Sequence, residues 1–517
     1  MSAAAARLTA MQHESLVFRV SRFGLSGFST RALPSGSTLL SLPHAAMLTE
    51  FVASESDVGR AVVALLGTPA PPELTGRALL YVYMIAARAR GDTRFSEYLR
   101  ALPTDFDDPL WWSAEAVAAR LAGTNLAAAV AHRARWLRRI FDAVVAPLTA
   151  ARPADFPAAT FSFRSWMWAH SCFSSRGFPA RLAEPPSASG DAGTDESASR
   201  VVQVDGVGGA AGDDANPLAS SDGSPVGCML PVLDILNHSP VARVEWQRGA
   251  DAVAFISREE IGAGTEIFNN YGPKGNEELL LAFGFVVHEN AADSVALALA
   301  VDWTRELEVS VDCSRALAHV TGFGVAGAPT RFVITRDGIA PPALVAALRL
   351  LLAGDRERIE LAQASANDPG AVKAMLFAPL RAKVEVRVYS ALRDMLGAKV
   401  AALETVYTRL LEMLGDAGGE GAADATADGA AAVPPGAASS MRLPTVNEAR
   451  GGSEALAYDD STWPCPETPA QSLYRIACAR EYVVGQLYVL RAAIDHASAA
   501  LETLKSEVRD AKRRRML

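Results

Sequence analysis

Short apolar bursts separated by turn residues open the chain. Residues 16–20 (Leu-Val-Phe-Arg-Val), a second run from Gly24 to Thr30 and a third over 38–42 flank Arg22-Phe23 and the turn Pro34-Ser35-Gly36. This spacing predicts three short strands. From 58 to 99, and again from 114 to 148, the apolar positions take a helical period in alanine-rich sequence, broken at Leu102-Pro103 and Asp108-Pro109. β-type sequence returns at 226–232, 241–247, 252–257 and 266–269, with a turn at Gly262-Ala263-Gly264, and then at 295–301 and 307–311. Beyond Pro341-Pro342 the pattern is helical over 344–352, 384–414 and 472–508. In the last of these, Val483, Leu487, Leu490, Ile494, Ala497, Leu501, Leu504 and Val508 alternate spacings of four and three, the seam of a helix packed on another helix.

Two stretches break this patterning. Residues 183–225 and 416–452 are rich in Ala, Gly, Ser, Asp and Pro and poor in large apolar side chains, so burial cannot offset their ordering entropy; both are expected to be disordered. The 517 residues, half of them hydrophobic, leave ample chain for a core of two units or more. Forty-nine basic against 58 acidic residues give a net charge of −9, so no global field draws the chain to nucleic acid. Apolar runs are too short for a membrane span, and residues 1–7 leave little room for a cleaved leader before the first strand. The five cysteines, Cys172, Cys228, Cys313, Cys465 and Cys478, are scattered and form no CxxC pair, which argues for a reducing compartment and against a zinc site.

Gly322 to Gly327 spells a formal GxGxxG, but Pro329 and a β-like run follow it where a dinucleotide loop needs a helix N-terminus. A glycine-rich turn is the reading there. A denser constellation joins Asp234-Ile235-Leu236-Asn237-His238-Ser239 to Asn269-Asn270-Tyr271-Gly272-Pro273-Lys274-Gly275-Asn276-Glu277. It lacks the GxSxG elbow of a serine hydrolase, and His238 has no second histidine at ligand spacing.

As an ordered set, these motifs resemble the SET-domain methyltransferases, in the branch of the Rubisco large-subunit and actin-histidine methyltransferases. The resemblance rests on Arg22-Phe23-Gly24-Leu25, on Leu102-Pro103 through Asp107-Asp108-Pro109-Leu110, and on Trp168 with Arg176. It continues in Leu230-Pro231 with Asp234 to His238, in Tyr271 to Glu277, and in Phe283-Gly284-Phe285. It implies an α+β fold: a SET domain over 15–315, carrying a helical insertion at 58–148, followed by an all-α substrate-binding domain over 316–517.

The same resemblance implies S-adenosylmethionine as cofactor and no metal. Ser21, Arg22 and Phe23 would hold the cofactor through the first glycine turn, Arg176 its amino-acid end, Asn237 and His238 its amino group and adenine, with Asp234 beside them. Gly284 and Phe285 would close the adenine side. Tyr271 takes the place of the catalytic tyrosine at the transfer axis. Phe283 stands in the substrate channel where many lysine-modifying relatives have tyrosine, which removes one hydroxyl from the target nitrogen and opens both the product state and the choice between lysine and histidine.

The function implied is transfer of a methyl group to a lysine of a non-histone protein, the trailing zinc cysteines of many histone-modifying relatives being missing. The alternatives are a histidine target and, from another class, a catalytically silent scaffold that binds proteins. A cytoplasmic location is expected, with a nuclear one as the alternative and a plastid ranked below both. Lys512-Arg513-Arg514-Arg515 reads first as solvated charge suited to a helix C-terminus.

Overall fold

The computed structural model describes residues 15–21, 24–67, 71–183, 227–299, 330–367, 369–417 and 467–516. Arg22, Phe23, nearly all of both low-complexity stretches and the Gly322 to Gly327 turn lie outside them. β1 (Leu16–Ser21) and β2 (Gly24–Ser29) pair antiparallel with Leu16 opposite Ser29, and β9 (Glu266–Ile267) joins the other edge of β2. A second sheet sets β8 (Ala252–Ser257) between β3 (Thr38–Pro43) and β7 (Val244–Arg248). A third, of two-residue strands, sets β6 (Cys228–Met229) between β4 (Leu48–Thr49) and β5 (Gly177–Phe178). Leu39, Leu42, Trp246, Val253, Phe255 and Ile267 fill the core these sheets share.

Between β4 and β5 run seven helices: α1 (Glu50–Ser54), α2 (Asp57–Leu66), α3 (Gly76–Arg90), α4 (Ser96–Ala101), α5 (Ala114–Leu121), α6 (Asn125–Ala151) and α7 (Phe163–Arg176). The helical insertion therefore starts earlier and ends later than the 58–148 span that periodicity suggests. α7 escapes that pattern because Phe163 to Phe173 are buried on every face, so no polar stripe marks it. Its register is fixed by indole hydrogen bonds: Trp168 Nε1 donates to Pro103 O (2.9 Å), and Trp111 Nε1 to Ser171 Oγ (2.8 Å). Ser171 in turn donates to Asp108 Oδ2 (3.2 Å). These contacts set where the last residue of α7, Arg176, emerges.

After β9 come α8 (Asn276–Phe283), β10 (Ser294–Leu299) and β11 (Thr330–Thr335). β11 forms at the β-like run that follows Pro329, inside the region expected to be an all-α domain, and it pairs antiparallel with β10 along its full length. Helices α9 (Pro342–Leu351), α10 (Asp355–Asn367), α11 (Pro369–Phe377), α12 (Ala382–Ala417) and α13 (Pro469–Met516) complete the chain. α13, about 72 Å long at 1.5 Å per residue, packs along α12 through the predicted seam, in which Val483, Leu487, Leu490, Ala497 and Leu501 are buried. The first turns of α13 also reach α8 and β10, so the C-terminal helix touches the elements that frame the site. No described helix is long and apolar enough to cross a membrane.

Candidate active site

Two segments 32 positions apart, 237–239 and 269–271, are brought side by side by backbone hydrogen bonds. Asn269 N–H donates to Asn237 O (2.8 Å) and Ser239 N–H to Asn269 O (2.9 Å), and His238 forms a parallel bridge with Asn269. Just upstream, Val232 adopts φ 78°, a left-handed conformation that a β-branched residue rarely takes. The turn at Leu233–Ile235 follows directly and directs Asp234 inward.

Tyr271 is held at both ends. Its N–H donates to His238 Nδ1 (3.0 Å) and its hydroxyl to Leu236 O (2.9 Å). Its ring lies between those of His238 (centroids 4.9 Å apart, planes at 23°) and Phe283 (5.0 Å, 26°), with Phe285 edge-on at 6.5 Å. Because Nδ1 of His238 is an acceptor, the neutral ring carries its proton on Nε2. Burial, helped by the charge of Lys274, pushes the His238 pKa down to about 4.

That depressed value has a sign. A histidine whose folded pKa lies below the unfolded one contributes stability that is complete above the unfolded value near 6.5 and is lost as pH falls toward 4. Imidazole NMR of His238 is expected to show the neutral ring from pH 7.5 down to about 5. A titration midpoint near 6.5 would contradict the buried, accepting geometry.

A narrow, nearly filled crevice is lined by Ser175, Arg176, Gly177, Phe178, Asp234, Leu236, Asn269, Tyr271 and Phe283. Within it Arg176 Nη1 donates to Asp234 O (2.8 Å) and lies 3.5 Å from Asp234 Oδ2. Tyr98 hydroxyl donates to the same Oδ2 (2.8 Å). Two buried polar atoms there have no partner among the described residues: Asp234 Oδ1 and Arg176 Nε. Burial works against the guanidinium charge, but Asp234, Tyr98, Cys172 and Tyr271 together more than offset it and raise the Arg176 pKa, keeping the side chain cationic. Burial likewise raises the Asp234 carboxyl above its ordinary value, against the pull of Arg176 and Tyr98. Native proteins leave few buried polar groups unpaired, so both atoms are open to a water or a polar ligand.

The structure thus gathers Arg176, Asp234, Tyr271 and Phe283 in one crevice, with His238 and Phe285 in its aromatic wall. Asn237 is near but committed: its Nδ2 donates to Ser26 Oγ (2.6 Å) and Glu266 Oε1 (2.9 Å), and Ser26 Oγ lies 2.7 Å from Ser21 Oγ. Through that chain Asn237 braces the strand end leading to Arg22 and Phe23. Gly284 caps α8 with φ 73° and lies against Asp107 and Asp108, separating Phe283 from Phe285. Sequence reasoning missed Tyr98 and the lining role of Asn269. The Tyr98 partner, Asp234, is 136 positions away, and no local pattern announces that contact.

Among the described residues no cluster of His, Cys, Asp and Glu could hold a metal. A wider groove, with about 1290 Å³ of open space between α6 and α7, is lined by Arg135, Arg138, Arg139 and Phe163 and includes none of the crevice residues.

Residues 24–272, just under half of the chain, match the family model for the SET domain. Across 98% of its length it superposes on 93% of a solved chain described as the SET domain of LSMT bound to lysine and AdoHcy, with a TM-score of 0.65 at 15% identity. A structure of Rubisco LSMT bound to AdoMet shares the fold with a TM-score of 0.60, also at 15% identity. In sequence the chain is 30% identical over 208 residues to ribosomal lysine N-methyltransferase set10 of Schizosaccharomyces pombe, covering 40% of this chain and 30% of that protein. It is 21% identical over 352 residues to actin-histidine N-methyltransferase of Gallus gallus, covering 66% of this chain and 50% of that one. The alignments to the ribosomal lysine methyltransferases of both yeasts span about a third of those proteins, 30% and 36%.

Proposed function

We propose that this chain is an S-adenosylmethionine-dependent protein N-methyltransferase that modifies a lysine side chain of a non-histone protein. The observation that carries the reading is the pair of buried, unpartnered atoms, Arg176 Nε and Asp234 Oδ1, in a crevice walled by Tyr271 and Phe283. The pair suits the zwitterionic end of an amino-acid cofactor, with the guanidinium N–H for a carboxylate and the carboxylate oxygen for an ammonium. Asn269 and the aromatic wall of His238, Tyr271 and Phe285 would flank the rest. S-adenosylmethionine, when bound, would supply an electrophilic methyl group on a sulfonium, which the nitrogen lone pair attacks in line as the C–S bond breaks and the thioether S-adenosylhomocysteine leaves.

The chain's own residues then have defined tasks. Tyr271, fixed through Leu236 O and His238 Nδ1, orients the incoming nitrogen. Phe283 and Phe285 exclude water, which favours the neutral amine; a free lysine with a pKa of about 10.4 is almost wholly protonated near pH 7. A second reading, a histidine target, is favoured by Phe283, which presents no hydroxyl to the nitrogen, and by the similarity to actin-histidine methyltransferases. An imidazole needs no such deprotonation.

Cell extract incubated with the purified full chain and a heavy-methyl cofactor tests the reading. Label is expected on lysine Nζ of a discrete protein, and to vanish with Tyr271→Phe. Label on a histidine selects the second reading, and an unlabelled extract sinks both.

A further inference from the structure

The first turns of α13 are tied to the crevice wall at a point that the transfer chemistry does not require. Tyr474, buried in the second turn of α13, donates its hydroxyl to Gly284 O (3.1 Å). Gly284 is the residue between the two rings that face Tyr271, those of Phe283 and Phe285, whose centroids lie 6.0 Å apart. Its left-handed conformation and the absence of room for a side chain show that it is packed directly against the turn at 107–108.

The neighbouring residue of α13 grips the turn against which that glycine packs. Arg475 Nη2 donates to Phe106 O (2.9 Å) and its Nε lies 3.4 Å from Asp107 Oδ1, on the turn against which Gly284 packs. Glu467 anchors Arg475 (3.2 Å) and accepts a forked pair from Arg120 at 2.8 and 2.7 Å. Two turns further along, Tyr482 donates to Glu277 Oε2 (2.5 Å) in the first turn of α8, the helix that ends at Phe283. Both ends of α8 are therefore held by α13, 190 and 205 positions away in sequence.

We propose that Tyr474 is a positioning residue for the methyl-acceptor crevice. By holding the Gly284 carbonyl, it sets the spacing of Phe283 and Phe285 from Tyr271, and so whether an already methylated nitrogen is admitted for a second transfer. The inference rests on the lysine methyltransferase reading above. Phe283 lacks a hydroxyl that could discriminate among methylation states by hydrogen bonding, so the width of the aromatic gap is the remaining means of discrimination on that side.

The test uses the full chain, the heavy-methyl cofactor and cell extract, with dimethyl- and monomethyllysine separated after acid hydrolysis while total label still rises linearly. Tyr474→Phe keeps the ring and removes only the donor. It is expected to raise the dimethyl-to-monomethyl ratio about fivefold, the factor equivalent to one neutral hydrogen bond of about 1 kcal/mol. The Kd for S-adenosylmethionine should stay within about twofold, because the substitution leaves Arg176, Asp234 and the backbone of Gly284 chemically intact. Arg475→Lys keeps a charge near Asp107 but loses the guanidinium hydrogen bond to Phe106 O, and it should move the ratio in the same direction. A role in stability alone would lower total label and melting temperature at an unchanged ratio; that result in both variants overturns the proposal. A wild-type chain that yields no methyllysine overturns the underlying reading instead, and is recognised before any variant is compared.

Discussion

Replacing Tyr271 by phenylalanine is expected to slow methyl transfer about 100-fold or more, the scale on which single preorganised polar groups act in active sites. The Kd for S-adenosylmethionine should change by less than about threefold, since a hydroxyl truncation leaves the apolar contacts in place. The ring would remain stacked between His238 and Phe283, and the backbone N–H would still reach His238 Nδ1. Only the hydroxyl is lost. That hydroxyl donates to Leu236 O at 2.9 Å, which fixes the direction of its oxygen at the crevice wall. An oxygen so fixed can accept a hydrogen bond from the incoming nitrogen and align its lone pair, a contribution that appears in kcat and leaves ground-state binding nearly untouched. Steady-state rates beside calorimetric Kd values read the split. Equal losses in rate and in cofactor binding would make Tyr271 a packing residue.

Gly284→Ala is expected to destabilise the protein by about 3 kcal/mol, read as a lower urea midpoint. Two independent effects add. The left-handed φ of 73° costs a residue with a Cβ about 1–2 kcal/mol. The added Cβ would also come within 2.8 Å of Asp108 N and 2.9 Å of Asp107 C, both backbone atoms that cannot swing aside. Relief requires α8 to pull away from the turn at 107–108, which displaces Phe283 from Tyr271. Activity is therefore expected to fall at temperatures where the variant is still folded. A variant of wild-type stability would show that the 107–108 turn yields freely.

Much of the site was legible because its chemistry sits in short, ordered motifs. Asp234 to His238 and Asn269 to Glu277 are each contiguous, and their side-by-side placement follows once both are strand ends. The antiparallel strands β1, β2, β3 and β8 were visible through alternation and turn residues within a residue or so of where they form. α7 was not, since a helix buried all round carries no period; nor was the break between α2 and α3 in a run read as continuous helix. The contacts that complete the site, Tyr98 to Asp234, Tyr474 to Gly284 and Tyr482 to Glu277, join residues 136 to 205 positions apart. They are set by tertiary packing, which leaves no local trace in composition or spacing. The Phe283 departure was legible as a missing hydroxyl, while its face-to-face stacking on Tyr271 required the fold.

The central claim is that the crevice between Arg176, Asp234 and Tyr271 binds S-adenosylmethionine. Isothermal titration of the full chain with the cofactor, beside Arg176→Ala, tests it most directly. The account predicts saturable one-to-one binding by the wild type, weakened about tenfold or more by removal of a charge-assisted contact of the 1.5–3 kcal/mol class. Absence of binding at millimolar cofactor, or equal affinity in the variant, would contradict it.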